Sequence, residues 1–335
     1  MIEIEETLEA LRDEITTAIS RDGVVVLPPM DVHDTLRLTR LLSAPVVTTV
    51  LDPWYNKGVG GVRDDYVPYV VGILDAAKTV SKHIFLWGFP EIVAPFIERV
   101  PPPLALVSWL TWAFRNNPSV IRGWRSAQMT CLHLSNPGAK LYVEHFLNEV
   151  QLAKLKEGKL RYMPGPPSVI EESLLVGFVG QKEQTGHPSQ KPLKVIEPLV
   201  KMTTREGDLV LDPMSGSGTT AEAARRLGRQ AIICDHSEEF TKIAEKRLGV
   251  RRIKLPDDLF VSLNGFESCL PSAWHVPQRS VRYPSADSNG DVTKSHQMAF
   301  LERHDNRGDV PANAKMRLRQ KSKTERGRPH KRVGS

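Results

Sequence analysis

The feature that most constrains this chain is a short apolar strand that ends in an acid and runs directly into a glycine-rich turn. Leu209–Thr220 reads LVLDPMSGSGTT, and an alanine-rich helical pattern follows it. Glycines in such a turn let the backbone approach a ligand closely. The free N–H groups at the start of the next helix favour an anionic group such as a carboxylate. This order of elements predicts an α/β fold, although glycines alone fit a turn in any such fold.

A second acid follows the next apolar strand, about 20 residues further on, as in dinucleotide-type folds. The strand is Ala231–Cys234, and the acid is Asp235. An acid at this position can accept hydrogen bonds from both hydroxyls of a ribose. Thr219 and Thr220 stand where a phosphate-binding loop needs lysine followed by serine or threonine. The segment therefore favours an adenosine with an amino-acid tail over a triphosphate.

Another strand, Val46–Leu51, runs into a turn of different composition, Asp52-Pro53-Trp54-Tyr55. An exocyclic base amine is a weak nucleophile because its lone pair is conjugated into the ring. A carboxylate and a backbone carbonyl that both accept its N–H bonds can pull the nitrogen toward tetrahedral geometry, and proline suits the carbonyl position because its φ is fixed. An aromatic ring can stack on a base extruded from the duplex. Taken alone, the turn reads more readily as a strand end whose aromatic residues pack in the core.

Together the two segments resemble motifs of the DNA amino-methyltransferases, a family that methylates adenine N6 or cytosine N4. Leu209–Thr220 resembles motif I, DPF-GSGTT, and Asp52–Tyr55 resembles motif IV, DPPY. A third segment, Gly186–Leu193, reads GHPSQKPL and resembles motif X. The catalytic motif comes first, motif X second and motif I last, which is the permuted order of the β group.

Two further stretches strengthen the resemblance. Asn56 with Gly60 and Gly61 is similar to the DPPYN…GG of adenine methylases. Trp112–Pro118, together with Arg122 and Arg125, is similar to a W-x-K-x-N-x-x-P stretch of the same group. The resemblance spans roughly residues 24–248.

The resemblance implies a Rossmann-like, seven-stranded, circularly permuted α/β sheet and S-adenosylmethionine as the cofactor. It assigns catalysis to Asp52, Pro53, Trp54, Tyr55 and Asn56. It places His187, Ser189 and Lys191 at the amino-acid end of the cofactor, and Asp31 or Asp34 at its adenine, although an acid before a helix is commonly an N-cap. The other implied cofactor residues are Asp212, Pro213, Met214, Gly216, Gly218, Thr219, Thr220 and Asp235. No metal site is predicted.

Three positions depart from the family pattern. Trp54 replaces the second proline of DPPY, which loosens the turn and adds an aromatic face. Met214 replaces phenylalanine, and its flexible thioether can fill a similar volume. Asp235 stands where this group more often has glutamate, which still permits contact with a ribose.

Composition and local patterns divide the chain. We expect a catalytic domain over residues 1–265, a short target-recognition insert over 137–182, irregular structure over 142–167, and a basic, disordered tail over 266–335. From Arg251 onward, 17 Lys and Arg residues stand against 9 Asp and Glu residues, a charge suited to a DNA backbone or simply to a solvated tail. Three widely separated cysteines, no signal-peptide pattern and no long apolar run predict a cytoplasmic protein without a membrane span.

The resulting hypothesis is a DNA methyltransferase that modifies adenine N6 in double-stranded DNA, because an acid heads motif IV. Cytosine N4 is the close alternative. There are two further alternatives, which the intact motifs disfavour. One is a catalytically idle DNA-binding relative, and the other is a methyltransferase that acts on protein or small molecules. A restriction or specificity partner and a homodimer remain open at this stage.

Overall fold

A computed structural model of the protein describes residues 2–56, 61–117, 124–162, 164–256 and 259–260. Eight strands form one mixed sheet within these residues. The strands are β1 Val24–Val26, β2 Val46–Leu51, β3 His83–Gly88, β4 Ala105–Ala113, β5 Gln128–Ser135, β6 Val169–Glu171, β7 Leu209–Asp212 and β8 Gln230–Ile233. Their order across the sheet is β1-β8-β7-β2-β3-β5-β4-β6.

Helices cover both faces of this sheet. They are α1 Ile2–Asp22, α2 Val32–Leu41, α3 Tyr66–Ala77, α4 Pro90–Val93, α5 Glu149–Lys156, α6 Leu193–Thr203, α7 Thr219–Arg226 and α8 Glu238–Leu248, with 3₁₀ turns at Ala94–Arg99 and Val143–Phe146. Buried residues of α1, α2 and α3 form one apolar cluster with the sheet, and those of α6, α7 and α8 form the other. This two-faced burial explains why the strands are apolar without alternation.

The strand β1 illustrates how successive side chains serve the two layers. Val25 packs in the cluster that contains α2, whereas Val24 and Val26 pack in the cluster that contains α7. All three residues are 1% exposed. Because side chains alternate across a strand, three consecutive valines pack against helices on opposite faces of the sheet.

Strand direction places most connecting loops at one edge of the sheet. The strands β1, β8, β7, β2 and β3 run parallel to one another, β5 is antiparallel to both β3 and β4, and β4 is parallel to β6. Every strand except β5 therefore ends at the same edge, which we call the carboxyl edge. Ligands of open α/β sheets bind at this edge.

The α/β, Rossmann-like fold expected from the sequence is confirmed, with one strand more than the seven expected. The additional strand is the three-residue β6, which pairs only with β4 at the margin of the sheet. The segment Pro90–Arg99 forms the single turn α4 followed by a 3₁₀ turn, where Pro95 lacks a backbone donor. Circular permutation remains a prediction.

The region 142–167, expected to be irregular, contains a 3₁₀ turn and the helix α5. None of the residues of α5 is buried, so the helix has no apolar stripe for a sequence pattern to reveal. A capping box between Asn148 and Gln151 fixes its first turn. The predicted tail over 266–335 lies outside the described residues, as do Gly60, Pro118 and Arg122. No helix of the described part has the length and apolarity to cross a membrane.

A buried histidine pair links β3 and β5. His83 Nδ1 lies 3.1 Å from His133 Nε2, and the other ring nitrogen of His83 lies 3.1 Å from the Lys140 carbonyl oxygen. The His133 ring stacks on Phe85 with 4.4 Å between centroids. Burial and the neighbouring His83 lower the pKa of His133 to about 3, so the imidazole is neutral in the folded protein at neutral pH.

This pair is expected to make stability depend on pH. Unfolded histidine has a pKa of about 6.5. Below that pH the unfolded chain binds a proton at His133, whereas the folded chain does not. The free energy of unfolding therefore falls from pH 6.5 down to about 3, by ~2 kcal/mol at pH 5. Urea unfolding at pH 7 and pH 5 measures this slope. His133→Gln, which keeps a polar side chain that does not titrate, should flatten the slope, and an unchanged slope would contradict the assignment.

Candidate active site

Two neighbouring strands carry the two motifs to the same place. β2 and β7 are hydrogen-bonded in parallel, with Thr49 opposite Leu211. Asp52 follows β2 and Asp212 ends β7, so the two acids lie at adjoining positions of the carboxyl edge. The structure thus brings together two motifs that are separated by almost half of the chain.

Aromatic packing holds the turn after β2. Tyr66 Oη donates a 2.6 Å hydrogen bond to the Trp54 carbonyl oxygen, and the Trp54 ring packs edge-on against Tyr66 with 5.2 Å between centroids. Tyr69 lies on another side of Trp54, at 5.6 Å. Among the described residues, no hydrogen bond ends on the carbonyl oxygen of Pro53. The tryptophan that replaces the second proline of DPPY therefore anchors the turn in the core.

Asn56 closes the loop that follows the turn. Its φ is +51°, its Nδ2 donates to the Arg63 carbonyl oxygen at 3.1 Å, and its Oδ1 accepts from the Arg63 N–H at 2.6 Å. Both ends of the amide are thus engaged with the backbone. The structure places Asn56 as a residue that shapes the turn rather than one that presents free polar atoms to a base.

Asp52 forms an ion pair with Lys191 that the sequence did not lead us to expect. Lys191 Nζ donates to Asp52 Oδ2, and the lysine side chain is only 6% exposed. Lys191 Nζ also lies 3.4 Å from Tyr55 Oη and 5.1 Å from the centre of the Trp87 ring. The lysine expected at the amino-acid end of the cofactor is therefore in contact with the candidate catalytic acid.

Tyr55 completes this network. Its Oη donates a 3.2 Å hydrogen bond to Asp52 Oδ1, and its ring meets Phe89 edge-on with 5.0 Å between centroids. Burial, reinforced by the charge of Asp52, raises the pKa of Tyr55 well above its ordinary value, so the hydroxyl stays a neutral donor. Each carboxylate oxygen of Asp52 thus has one donor, and the carboxylate is fixed in orientation.

The glycine-rich turn after β7 depends on backbone conformations that favour glycine. Gly216 has φ +49° and Gly218 has φ +74°. A Cβ on Gly216 would lie 2.8 Å from His187 Nε2, and one on Gly218 would lie 3.2 Å from the Cβ of Ala244. His187 therefore lies directly against the turn.

Asp235 supports the same turn from β8. Its Oδ2 accepts from the Gly216 N–H at 2.8 Å, and its Oδ1 accepts from the Ser237 N–H at 2.9 Å. Asp235 is 5% exposed, and its Oδ1 also lies 3.4 Å from His236 Nδ1. Oδ2 has one donor and keeps a second lone pair, so this oxygen can still accept a hydroxyl while the acid holds the turn.

Asp212 lies beneath the turn and is fully enclosed. Its Oδ1 accepts from the Met214 N–H at 3.1 Å. Burial raises the pKa of Asp212 to about 7, against the opposing effect of hydrogen bonds from Thr220 and Met214. Pro213 is buried and Met214 half-buried beside it. Asp212 therefore stabilises the turn through its hydrogen bond with the Met214 N–H.

The segment between His187 and Lys191 ties the two motifs together. Thr219 Oγ1 donates to the Lys191 carbonyl oxygen at 3.0 Å, and the Ser189 N–H donates to His187 Nδ1 at 3.2 Å. Ser189 itself is exposed. Gln190 is buried, and its Oε1 accepts from both the N–H and the hydroxyl of Thr185.

Arg247 of α8 is a residue of this site that sequence reasoning missed. Its Nη1 donates to Thr219 Oγ1 at 2.7 Å and to Ser217 Oγ at 3.3 Å, and its Nη2 lies 3.5 Å from Glu183 Oε1. Burial lowers the pKa of Arg247. No local motif marks it, because it lies in an ordinary amphipathic helix.

Asp31 is the N-cap of α2, the alternative that the sequence left open. Its side chain accepts from the His33 N–H at 2.8 Å. The Met30 N–H donates to the Asp235 carbonyl oxygen, so Asp31 also lies at the carboxyl edge beside the acid of β8. Burial and the charge of Asp31 raise the pKa of Asp34.

Comparison with known proteins agrees with this geometry. A family model described as DNA methylase matches residues 124–246. The type II methyltransferase M.HpaI of Haemophilus parainfluenzae is 27% identical over 274 residues, which are 77% of this chain and 81% of that protein. The chain is thus similar to DNA methylases over residues 124–246 and to a type II methyltransferase over most of its length. A shorter match reaches 52% identity over 62 residues of M2.DpnII from Streptococcus pneumoniae, 18% of this chain and 23% of that protein.

Solved structures of other DNA methyltransferases share the fold. The complex of M1.HpyAVI with S-adenosylmethionine has a TM-score of 0.53 and 18% identity, covering 68% of this chain and all 100% of that one. The cytosine-N4-specific PvuII DNA methyltransferase has a TM-score of 0.51 and 17% identity, covering 72% of this chain and 94% of that one. At these identities the likeness concerns only the sheet and its helices.

Proposed function

We propose that this DNA amino-methyltransferase transfers a methyl group from S-adenosylmethionine to N6 of an adenine that is extruded from double-stranded DNA. The observation that carries the proposal is the oriented carboxylate of Asp52, which lies beside the glycine-rich turn on the next strand. A nucleophile held at Asp52 and a cofactor held at Gly216 would be neighbours. Proximity of this kind supplies much of the rate enhancement in group transfer.

The residues around Gly216 fit the cofactor. Two glycines with positive φ leave two positions of the turn without side chains, and the first N–H groups of α7 would be available to an amino-acid carboxylate. Asp235 offers a carboxylate for the ribose hydroxyls, and Asp31 lies at the end of the adjoining strand for the adenine. The His187 ring lies against the turn at Gly216. The bound cofactor supplies an electrophilic methyl group on a sulfonium.

The protein activates the nucleophile through hydrogen-bond acceptors. Asp52 accepts one N–H of the target amine, and the Pro53 carbonyl oxygen accepts the other. Both acceptors stabilise the positive charge that develops on the nitrogen, and they do so without reorganising because they are already in place. The nitrogen loses one proton after it gains the methyl group.

Lys191 and Tyr55 hold the carboxylate for this task. Two donors on Asp52 restrict its rotation, and the ammonium of Lys191, whose side chain is 6% exposed, balances the negative charge. The Tyr55 ring would stack on the extruded base. Because the Tyr55 hydroxyl donates a hydrogen bond to Asp52, a movement of the ring that holds the base would also move the acid that activates it.

Adenine is favoured because the turn begins with an acid rather than the serine common in cytosine-N4 enzymes. The test is to express the protein in cells that lack DNA methylation and to sequence their DNA with single-molecule detection of modified bases. Mass spectrometry of the digested DNA should find N6-methyladenine. Finding N4-methylcytosine alone would transfer the assignment to the sister activity. An absence of both bases, with cofactor bound, would favour the idle relative.

The cofactor assignment predicts the behaviour of Asp235. Asp235→Ala should weaken S-adenosylmethionine binding by about 10- to 150-fold, because hydrogen bonds to a charged acceptor contribute roughly 1.5–3 kcal/mol. Calorimetric titration of the folded variant measures this change. Asp208→Ala is the matched control, since Asp208 accepts the Arg205 N–H before β7, at the opposite edge of the sheet. Equal affinities of the two variants would contradict the role given to Asp235.

A further inference from the structure

An ordered turn at the carboxyl edge presents a phenylalanine to solvent. Phe178 is 92% exposed, and it follows β6, the outermost strand. Isolated apolar side chains are common on protein surfaces, so exposure alone carries little weight. What distinguishes Phe178 is the construction of the segment that holds it.

The backbone around Phe178 is a hydrogen-bonded turn over Val176–Val179. The Val179 N–H donates to the Val176 carbonyl oxygen at 3.0 Å, and Gly177, which precedes the phenylalanine, has φ +58°. The Gln184 side chain then donates to the carbonyl oxygens of Gly177 at 3.2 Å and Val179 at 2.7 Å. One amide thus ties down the backbone on both sides of Phe178, while the ring itself extends into solvent.

The two ends of this segment are hydrogen-bonded to different parts of the fold. At its start, Leu174 exchanges two 2.8 Å hydrogen bonds with the Asn116 side chain, which follows β4. At its end, Glu183 accepts the Leu193 N–H at 2.7 Å, and its carbonyl oxygen accepts from Gln190. Gln190 precedes Lys191, the partner of Asp52. The Phe178 turn therefore bridges the rim between the β4 loop and the Asp52 network.

We propose that Phe178 enters the DNA base stack when the target base is extruded and fills the space that the base leaves. Proteins that unstack DNA use apolar wedges of this kind, and a base inside a duplex cannot reach an active site without leaving the stack. A rigid turn suits the task because little conformational entropy is lost when the ring inserts. This proposal rests on the proposed function, since it requires duplex DNA as the substrate.

The test compares two duplexes that differ only opposite the target. One oligonucleotide duplex carries the sequence that the wild type methylates with its normal base pair, and the other has an abasic site opposite the target base. Phe178→Ala should lower kcat/KM on the paired duplex by ~10- to 100-fold and regain most of this loss on the abasic duplex, where no pair must be broken. Phe178→Leu, which keeps an apolar wedge, should stay within a few-fold of the wild type.

Leu106→Ala is the matched control. Leu106 is 42% exposed and lies near the start of β4, at the edge of the sheet opposite the carboxyl edge and outside the predicted target-recognition insert. Its kcat/KM on the paired duplex should be unchanged. 2-Aminopurine at the target position gives an independent signal: its fluorescence should rise on binding to the wild type and less with Phe178→Ala.

The possible failures are distinguishable. Equal losses for Phe178→Ala on both duplexes, or no loss on the paired one, would overturn the wedge while leaving the methyltransferase assignment intact. A wild type that methylates neither duplex would overturn the proposed function and the wedge with it. A change in the sedimentation of DNA-free protein on Phe178→Ala would assign the turn to a protein interface, and this too would overturn the proposal.

Discussion

Replacing Asp52 with alanine is expected to reduce methyl transfer to DNA by at least about 10³-fold while cofactor affinity changes little. The loss follows because the carboxylate contacts the amine most strongly in the transition state, and single preorganised contacts of this type contribute roughly 10²- to 10³-fold. The ion pair to Lys191 is lost as well, which frees an ammonium beside the reacting nitrogen. Transfer of radiolabelled methyl groups and calorimetric titration of cofactor measure the two quantities separately.

Stability must be controlled in this experiment, because Asp52→Ala leaves the buried Lys191 ammonium without its partner, whose own side chain is 22% exposed. Removing one member of a fully buried pair destabilises proteins by about 3–5 kcal/mol, and removing one member of a partly exposed pair costs less. Asp52→Asn keeps the shape of the side chain, and combining it with Lys191→Met removes the orphan charge. If the folded double variant recovers the wild-type rate, Asp52 does not act on the amine.

Gly216→Val is expected to abolish measurable cofactor binding, a loss of at least about 100-fold. Valine is a rare residue at positive φ, and Gly216 has φ +49°. Its Cβ would also collide with the His187 ring, 2.8 Å away, and displace the histidine from the turn. Calorimetric titration with S-adenosylmethionine measures the loss, and thermal unfolding verifies that the variant is folded.

Gly138→Val separates the two causes. Gly138 has φ +78°, in the same region of backbone conformation, but a Cβ there meets nothing within 4 Å. Both variants carry the cost of a branched residue at positive φ, whereas only Gly216→Val crowds the cofactor turn. We expect Gly138→Val to bind cofactor with wild-type affinity. Comparable losses in both variants would show that strain, and not crowding at the site, explains the effect.

The sequence predicted those parts of the protein in which local chemistry determines local structure. The glycine-rich turn was recognisable because positive φ restricts Gly216 and Gly218 to few residue types. The strand ends at Asp52 and Asp212 were recognisable because apolar runs stop at an acid. Strand polarity then places both acids at one edge, which requires only that the sheet be parallel.

The unpredicted parts depend on contacts between distant segments or lack a periodic signal. Lys191 and Asp52 are 139 residues apart, and nothing near either residue indicates that they touch. The helices α6 and α8 were not identified, and α6 contains Pro198, a residue that ordinarily argues against a helix interior. Asn56 was placed among catalytic residues by its neighbours in sequence, whereas its contacts with Arg63 arise from the path of the loop.

The order of strands across the sheet also determines when the protein can fold. β1 pairs only with β8, and β2 lies between β3 and β7, so two N-terminal strands await partners from the last third of the described chain. Ribosomes add about 5–20 residues per second, and the ~160 residues between β2 and β7 therefore take about 10–30 seconds to emerge. During that time β2 has an open edge, the kind of surface that chaperones protect. The site is assembled only after β7 and β8 have been synthesised. A nascent chain therefore cannot methylate DNA before the strands that carry the candidate cofactor residues exist.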